Sequence, residues 1–245
     1  MSEVFDHEFE SFRSDYLRKQ TLDVDFQNLP KSWMNLSVKH KYSYQFDWLG
    51  IPIIQMPSDL ILFQEVIWKT RPSLVIETGI ARGGSLVFWA SMMQLSDIDG
   101  KVLGIDIDIR KHTIRALNAS KFNGIIEVIE GGSTEPEVIS KVKNFAKSFD
   151  RVMVVLDSNH THEHVLSELE NYADLVTPGN YLLVLDTNID DIDKPEDRPW
   201  EVGNSPKTAV IEFMNTHPDN FLNDKMLESR SLTTVSPFGF WKRID

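Results

Sequence analysis

Between residues 74 and 186 the chain alternates, with five short apolar runs separated by four stretches with helical spacing. The runs are Leu74–Glu77, Val102–Asp106, Ile125–Ile129, Val152–Asp157 and Tyr181–Asp186. The fourth, VMVVLD, is almost wholly apolar, as a strand buried on both faces must be. The intervening segments read as helices: Gly84–Leu95, Arg110 to about Lys121, one opened by a Thr134/Glu137 capping box with Val138 and Val142 inward, and one starting at Thr161. Strand–helix alternation of this kind predicts an α/β, Rossmann-like fold, a mostly parallel sheet with helices on both faces. The end departs from the pattern. A helix over Pro206–His217 precedes Ser231–Val235 and Phe238–Arg243, which flank a Pro-Phe-Gly turn and predict a C-terminal antiparallel hairpin. Upstream, residues 1–36 read as one or two helices outside the core, and 37–245 as the domain proper. Tyr42–Pro57 is an extended lead-in, and Ser58 a cap for a helix carrying Leu60, Phe63 and Ile67 inward.

Composition narrows the function classes. A chain of 245 residues fits one large open α/β domain. Its 37 acidic against 25 basic residues, a net charge of −12, argue against nucleic-acid or anionic-membrane binding, which need clustered Lys and Arg. The absence of cysteine excludes disulfides, thiolate zinc sites, iron–sulfur clusters and a cysteine nucleophile. No apolar run is long enough to span a bilayer, and the acidic N-terminus is unlike a secretory signal. The expectation is a soluble cytoplasmic protein, with residues 1–36 a candidate surface for homo-oligomer formation.

The chemistry-bearing residues cluster at strand ends. The first strand runs into Glu77-Thr78-Gly79-Ile80-Ala81-Arg82-Gly83-Gly84-Ser85. Small residues at Gly79, Ala81 and Gly83 allow a sharp turn and a close ligand, and the helix from Gly84, with Ser85 in its first turn, offers free N–H groups. A carboxylate at Glu77 would repel a pyrophosphate and attract an ammonium or sulfonium group. Asp106, at the second strand tip, suits ribose hydroxyls; Asp108 reads as a helix-capping acid. Ser133, after Gly131-Gly132, would form a small polar wall near an adenine. Asp157 and Asp186 close strands expected to be neighbours, and two carboxylates that close invite a divalent metal, with Asn188 a further oxygen donor. His160, above Asp157, is the candidate general base. His162 and His164 read as exposed residues at a helix start. The long acidic stretch from Asp190 to Trp200 is a candidate lid, with Trp200 positioned to lie on a bound ring.

Four blocks in this order, YSYQFDWLGIPIIQMPSDLILFQEVIWKTRPSLVIETGIARGGSL, LDSNHTHEHV, LVLDTN and SLTTVSPFGFWKRI, resemble the cephalosporin hydroxylase/rhamnosyl O-methyltransferase family from about residue 37 to the end. The resemblance implies an S-adenosylmethionine-dependent methyltransferase with a seven-stranded sheet and a magnesium site. It implies that Glu77, Gly79 and Gly83 hold the methionine and ribose part of the cofactor and Asp106 the ribose. Asp157 and Asp186 would be metal ligands, and His160 the base. Family members tend to have Glu-Asp where this chain has Leu185-Asp186, so one expected carboxylate is replaced by an apolar side chain.

The expected activity is O-methyl transfer to a hydroxyl of a sugar or natural-product acceptor. The alternatives are an oxygenase, which needs iron on His160, His162 and Asp157, and a non-catalytic cofactor-binding partner protein. A dinucleotide oxidoreductase is a further rival, opposed by Glu77.

Overall fold

The computed structural model describes residues 6–193 and 198–244. Seven strands form one sheet: β1 (Leu74–Thr78), β2 (Lys101–Asp106), β3 (Ile126–Glu130), β4 (Val152–Leu156), β5 (Tyr181–Val184), β6 (Phe221–Asn223) and β7 (Phe240–Arg243). Their order is β3-β2-β1-β4-β5-β7-β6. The first five are parallel, and β7 runs antiparallel to both β5 and β6.

The period of two along each strand sends successive side chains to opposite faces. Leu74, Ile76, Val152, Val154, Leu182 and Val184 pack on one side with α6 (Pro136–Ala146), α7 (His162–Tyr172) and α8 (Pro206–Thr216). Val75, Met153, Val155 and Leu183 face the other side, covered by α3 (Pro57–Thr70) and α4 (Gly84–Leu95). α5 (Lys111–Ala119) lies between β2 and β3 in sequence, and α9 (Lys225–Glu228) between β6 and β7. The chain begins with α1 (His7–Leu22) and α2 (Val24–Lys39). α1 buries none of its side chains and α2 only Met34 and Ser37, so both lie outside the core as expected.

Three local expectations fail. The antiparallel pair is present, but its first arm is Phe221–Asn223, not Ser231–Val235. In that segment the Val235 N–H donates to the Asp59 carboxylate and its carbonyl accepts from the Asn188 N–H, which takes the groups a strand would need. The Thr134/Glu137 capping box does not form, because Pro136 fixes the first helical residue and makes Glu135 the cap. Pro57 acts the same way, so Met56 precedes α3, and the Ser58 hydroxyl donates to the Thr233 carbonyl.

Candidate active site

The order of the parallel strands reverses between β1 and β4, and open α/β sheets bind ligands in the crevice beyond that point. The contact there is tight. A Cβ on Gly79 would lie 2.0 Å from the Asp157 carbonyl oxygen, and Gly79 has a φ of +82°. Only glycine lets the loops after β1 and β4 meet so closely. Ala81, with φ 44°, shares the left-handed turn, and its carbonyl accepts from the buried Thr113 hydroxyl at 3.0 Å.

One side of the crevice is a cavity of about 180 Å³ lined by Gly79, Asp106, Ile107, Ser133, Ser158 and His164, among others. Its polar groups are largely tied to one another. Asp106 Oδ2 accepts from the Ile80 and Ala81 amides at 3.0 and 3.1 Å, and Oδ1 from the Asp108 amide at 3.1 Å. The strand-tip carboxylate therefore orders the glycine-rich loop while still lining the cavity. Asp108 does not cap α5, whose cap is Arg110. Ser133 Oγ lies 3.1 Å from His164 Nε2, which is 3.0 Å from Ser158 Oγ. Ser158 in turn donates to the fully buried Glu168 at 2.7 Å. Below the glycine-rich loop, Glu77 is buried and accepts from the Trp89 indole at 2.7 Å. Burial pushes its carboxyl up to about 8, with the Ser85 hydroxyl pulling down and the Asp157 charge adding to the rise.

The other side of the crevice is acidic. β4 and β5 are hydrogen-bonded neighbours, so Asp157 and Asp186 come together as expected. Ligand atoms of Asp157, His160 and Asp186 all lie within 4.8 Å of one another. His160 Nε2 is 3.1 Å from Asp186 Oδ2 and 3.5 Å from Asp157 Oδ1, and it is buried without an aligned hydrogen bond among the described residues. Burial alone would lower the His160 pKa, but the Asp186 charge and the Asp157 carboxylate beside it raise it to about 9. Burial likewise pushes Asp157 up to about 7, with His160 pulling down and Asp186 pushing up. Asp186 itself has φ 53°, an uncommon conformation for a non-glycine residue, of the kind found at functional sites. Asn188 follows in a buried turn, and Leu185 is packed in the core on the α3/α4 side. The two partly buried carboxylates suit a divalent cation, which would neutralise their like charges, and the His160 imidazole lies beside them.

Several placements differ from expectation. His162 is not an exposed helix-start residue: its Nδ1 lies 2.8 Å from Thr208 Oγ1 and its Nε2 3.2 Å from Glu212. It is turned toward α8 and does not join His160 and Asp157, so the two-histidine iron set of an oxygenase is not assembled. His164 belongs to the cavity network. The Trp200 ring packs edge-on against the His160 imidazole at 4.8 Å, making a wall of the acidic side. Residues 194–197 of the expected lid lie outside the described residues.

Sequence reasoning missed Glu168 and Gln55. Glu168 shares the inward face of α7 with Val165, Leu169 and Tyr172, and an acid on an apolar face was its available signal. Gln55 lies in the lead-in, and its available signal was its place within the first block of the family resemblance; its amide donates to Asp157 Oδ2 at 2.9 Å.

The likeness to known proteins follows the same outline. Rhamnosyl O-methyltransferase of Mycobacterium leprae is 29% identical over 196 residues, 79% of this chain and 81% of its own length. The protein of that name from Mycobacterium tuberculosis is 28% identical over 210 residues, 82% of each chain. A solved apo structure of CmcI shares the fold at a TM-score of 0.63 with 19% identity, over 82% of this chain and 77% of that one. A CmcI structure with magnesium and S-adenosylmethionine gives a TM-score of 0.61 at 18% identity, over 82% and 78%. Residues 40–244 match the family model described as Rhamnosyl O-methyltransferase/CmcI, and the chain belongs to that methyltransferase family.

Proposed function

We propose that this protein is a metal-assisted, S-adenosylmethionine-dependent O-methyltransferase acting on a hydroxyl of a sugar or glycosylated acceptor. The observation that carries the reading is the Asp157–His160–Asp186 cluster beside the cavity lined by Asp106, Ser133 and His164. The mycobacterial relatives, named rhamnosyl O-methyltransferases, and the magnesium and S-adenosylmethionine of a CmcI structure support it by family.

S-Adenosylmethionine supplies a methyl group on a sulfonium, already electrophilic. The chain must therefore hold donor and acceptor in line and remove one proton. Asp106 and Ser133 take the ribose and adenine side, with Gly79, Ala81 and Gly83 leaving room for the ligand. Glu77, neutral while the site is empty of charge, ionises as a cationic ligand arrives. Asp157 and Asp186, with Asn188 adjoining, would hold a divalent ion, preferably magnesium. When bound, such an ion would supply Lewis acidity toward the acceptor hydroxyl and positive charge against the anionic field that keeps His160 protonated. His160 then accepts the acceptor's proton, with Trp200 excluding water from its ring.

The test is calorimetric titration with S-adenosylmethionine, with and without magnesium, beside NAD. Micromolar binding of the first, strengthened by magnesium, and none of NAD is expected. Absence of S-adenosylmethionine binding in folded protein overturns the reading. Binding with no response to magnesium and no transfer to rhamnosylated acceptors leaves a cofactor-binding partner protein instead.

A further inference from the structure

Gln55 reaches the acidic site from outside the sheet. It lies in the lead-in between a short hairpin, Asp47–Trp48 with Ile51–Pro52, and the start of α3. The segment is pinned at several points. A Cβ on Gly84 would lie 2.3 Å from the Pro52 carbonyl oxygen, so the lead-in runs against the first turn of α4. Downstream, Ser58 bonds to Thr233 and Asp59 to the Val235 amide. Between these anchors the Gln55 side chain is buried, at 5% exposure, with Nε2 2.9 Å from Asp157 Oδ2.

Two features separate this contact from ordinary core packing. First, the carboxylate is divided: Oδ2 accepts from Gln55, while Oδ1 faces His160 at 3.5 Å. Second, Gln55 Oε1 is buried with no partner among the described residues. An unpaired buried carbonyl is destabilising, so an apolar side chain of similar size would suit this place better if packing were its purpose. Asp157 continues the parity of Met153 and Val155, which sends it to the face where Gln55 waits.

We propose that Gln55 is a positioning residue for the divalent-cation site: it occupies Oδ2 of Asp157 and leaves Oδ1 as the single coordinating oxygen. A neutral amide does this without adding charge to a site that already gathers Asp157, Asp186 and the buried Asp59. It also steadies the site where Leu185 contributes no carboxylate. The inference rests on the metal reading above, and groups that orient a metal ligand typically govern affinity by about 10–100-fold.

The experiment is Mn2+ titration of the full chain by calorimetry, repeated on Gln55→Met, with S-adenosylmethionine affinity measured metal-free and melting recorded for both proteins. The expected result is a Kd for Mn2+ about 10–100-fold weaker in the variant. Metal-free S-adenosylmethionine affinity should be unchanged. Melting should move little, because the bond lost to Asp157 is offset by removal of the unpaired Oε1. Gln55→Asn, which keeps an amide one methylene too short, should weaken Mn2+ in the same direction and guards against a misfolded first variant. Equal Mn2+ affinity in wild type and variants overturns the role of Gln55 and spares the metal reading. Parallel loss of Mn2+ and S-adenosylmethionine binding assigns Gln55 a structural role and also overturns it. If the wild type itself binds no Mn2+, both readings fall together.

Discussion

The two sides of the crevice are built on opposite plans. On the cavity side, Asp106 is held by three backbone amides, and Ser133, His164, Ser158 and Glu168 form a chain of contacts. That side is ordered before any ligand arrives. On the acidic side, Gln55 Oε1, Asp59 Oδ1 and His160 Nε2 are buried without hydrogen-bond partners among the described residues, against Glu168 Oε2 on the cavity side, and Asp186 sits in a left-handed conformation. The difference teaches which half is a preformed recognition surface and which is waiting for charge. Uncompensated buried groups are destabilising alone and become favourable only when a cation or a reacting group arrives.

The sharpest way to break this contrast is Asp157→Ala. Under the proposed function, methyl transfer to a sugar-bearing acceptor should fall by about 10²–10⁴-fold, on the scale of a lost acid–base or metal function. Metal-free S-adenosylmethionine binding should survive, because the ordered side is untouched; loss of both in titration would show that the two sides are one unit. Gly79→Ala attacks the seam between them. Its Cβ would meet backbone at 2.0 Å, so melting should drop by the equivalent of about 1–3 kcal/mol or more, with cofactor affinity lost in the same protein. Wild-type melting would mean that the loops can separate at no cost.

The pH dependence of stability sharpens the point without mutation. Burial keeps Glu77 protonated up to about 8 and Asp59 up to about 7, against 4.5 and 3.8 for the free side chains. His160 holds its proton up to about 9 against 6.5. Across pH 5 to 9 the folded chain therefore binds more protons than the unfolded one, and stability falls as pH rises. Thermal melts of the ligand-free chain should show that decline; a flat or rising curve would mean that the acidic side is already compensated. The smallest effect concerns the ordered side. His164→Ala removes contacts to Ser133 and Ser158, worth about 1 kcal/mol, or roughly fivefold in S-adenosylmethionine affinity. An affinity unchanged from wild type would show that the network does not shape the cavity.

Much of this was legible before any coordinates. The apolar runs ending at Glu77, Asp106, Asp157 and Asp186 predict the strands, and parallel strands place their C-terminal tips along one edge. Legibility ended where the chain folds back. Ser231–Val235 looks like a strand by composition, yet its backbone bonds go to Asp59 and Asn188. His162 and His164 look alike, yet α8 claims the first and the cavity the second. Gln55 lies inside a block that carries the family resemblance, yet nothing local marks it as a partner of Asp157.

The sequence by itself determined the parallel sheet, the glycine-rich turn and the acids at the strand tips, because periodicity and local backbone geometry act over a few neighbouring residues. Only the tertiary structure decided what those residues meet: an amide 102 positions upstream on Asp157, and a tryptophan and the Asp186 carboxylate on His160. Burial and charge are sums over everything nearby in space, and no local stretch of sequence contains that sum.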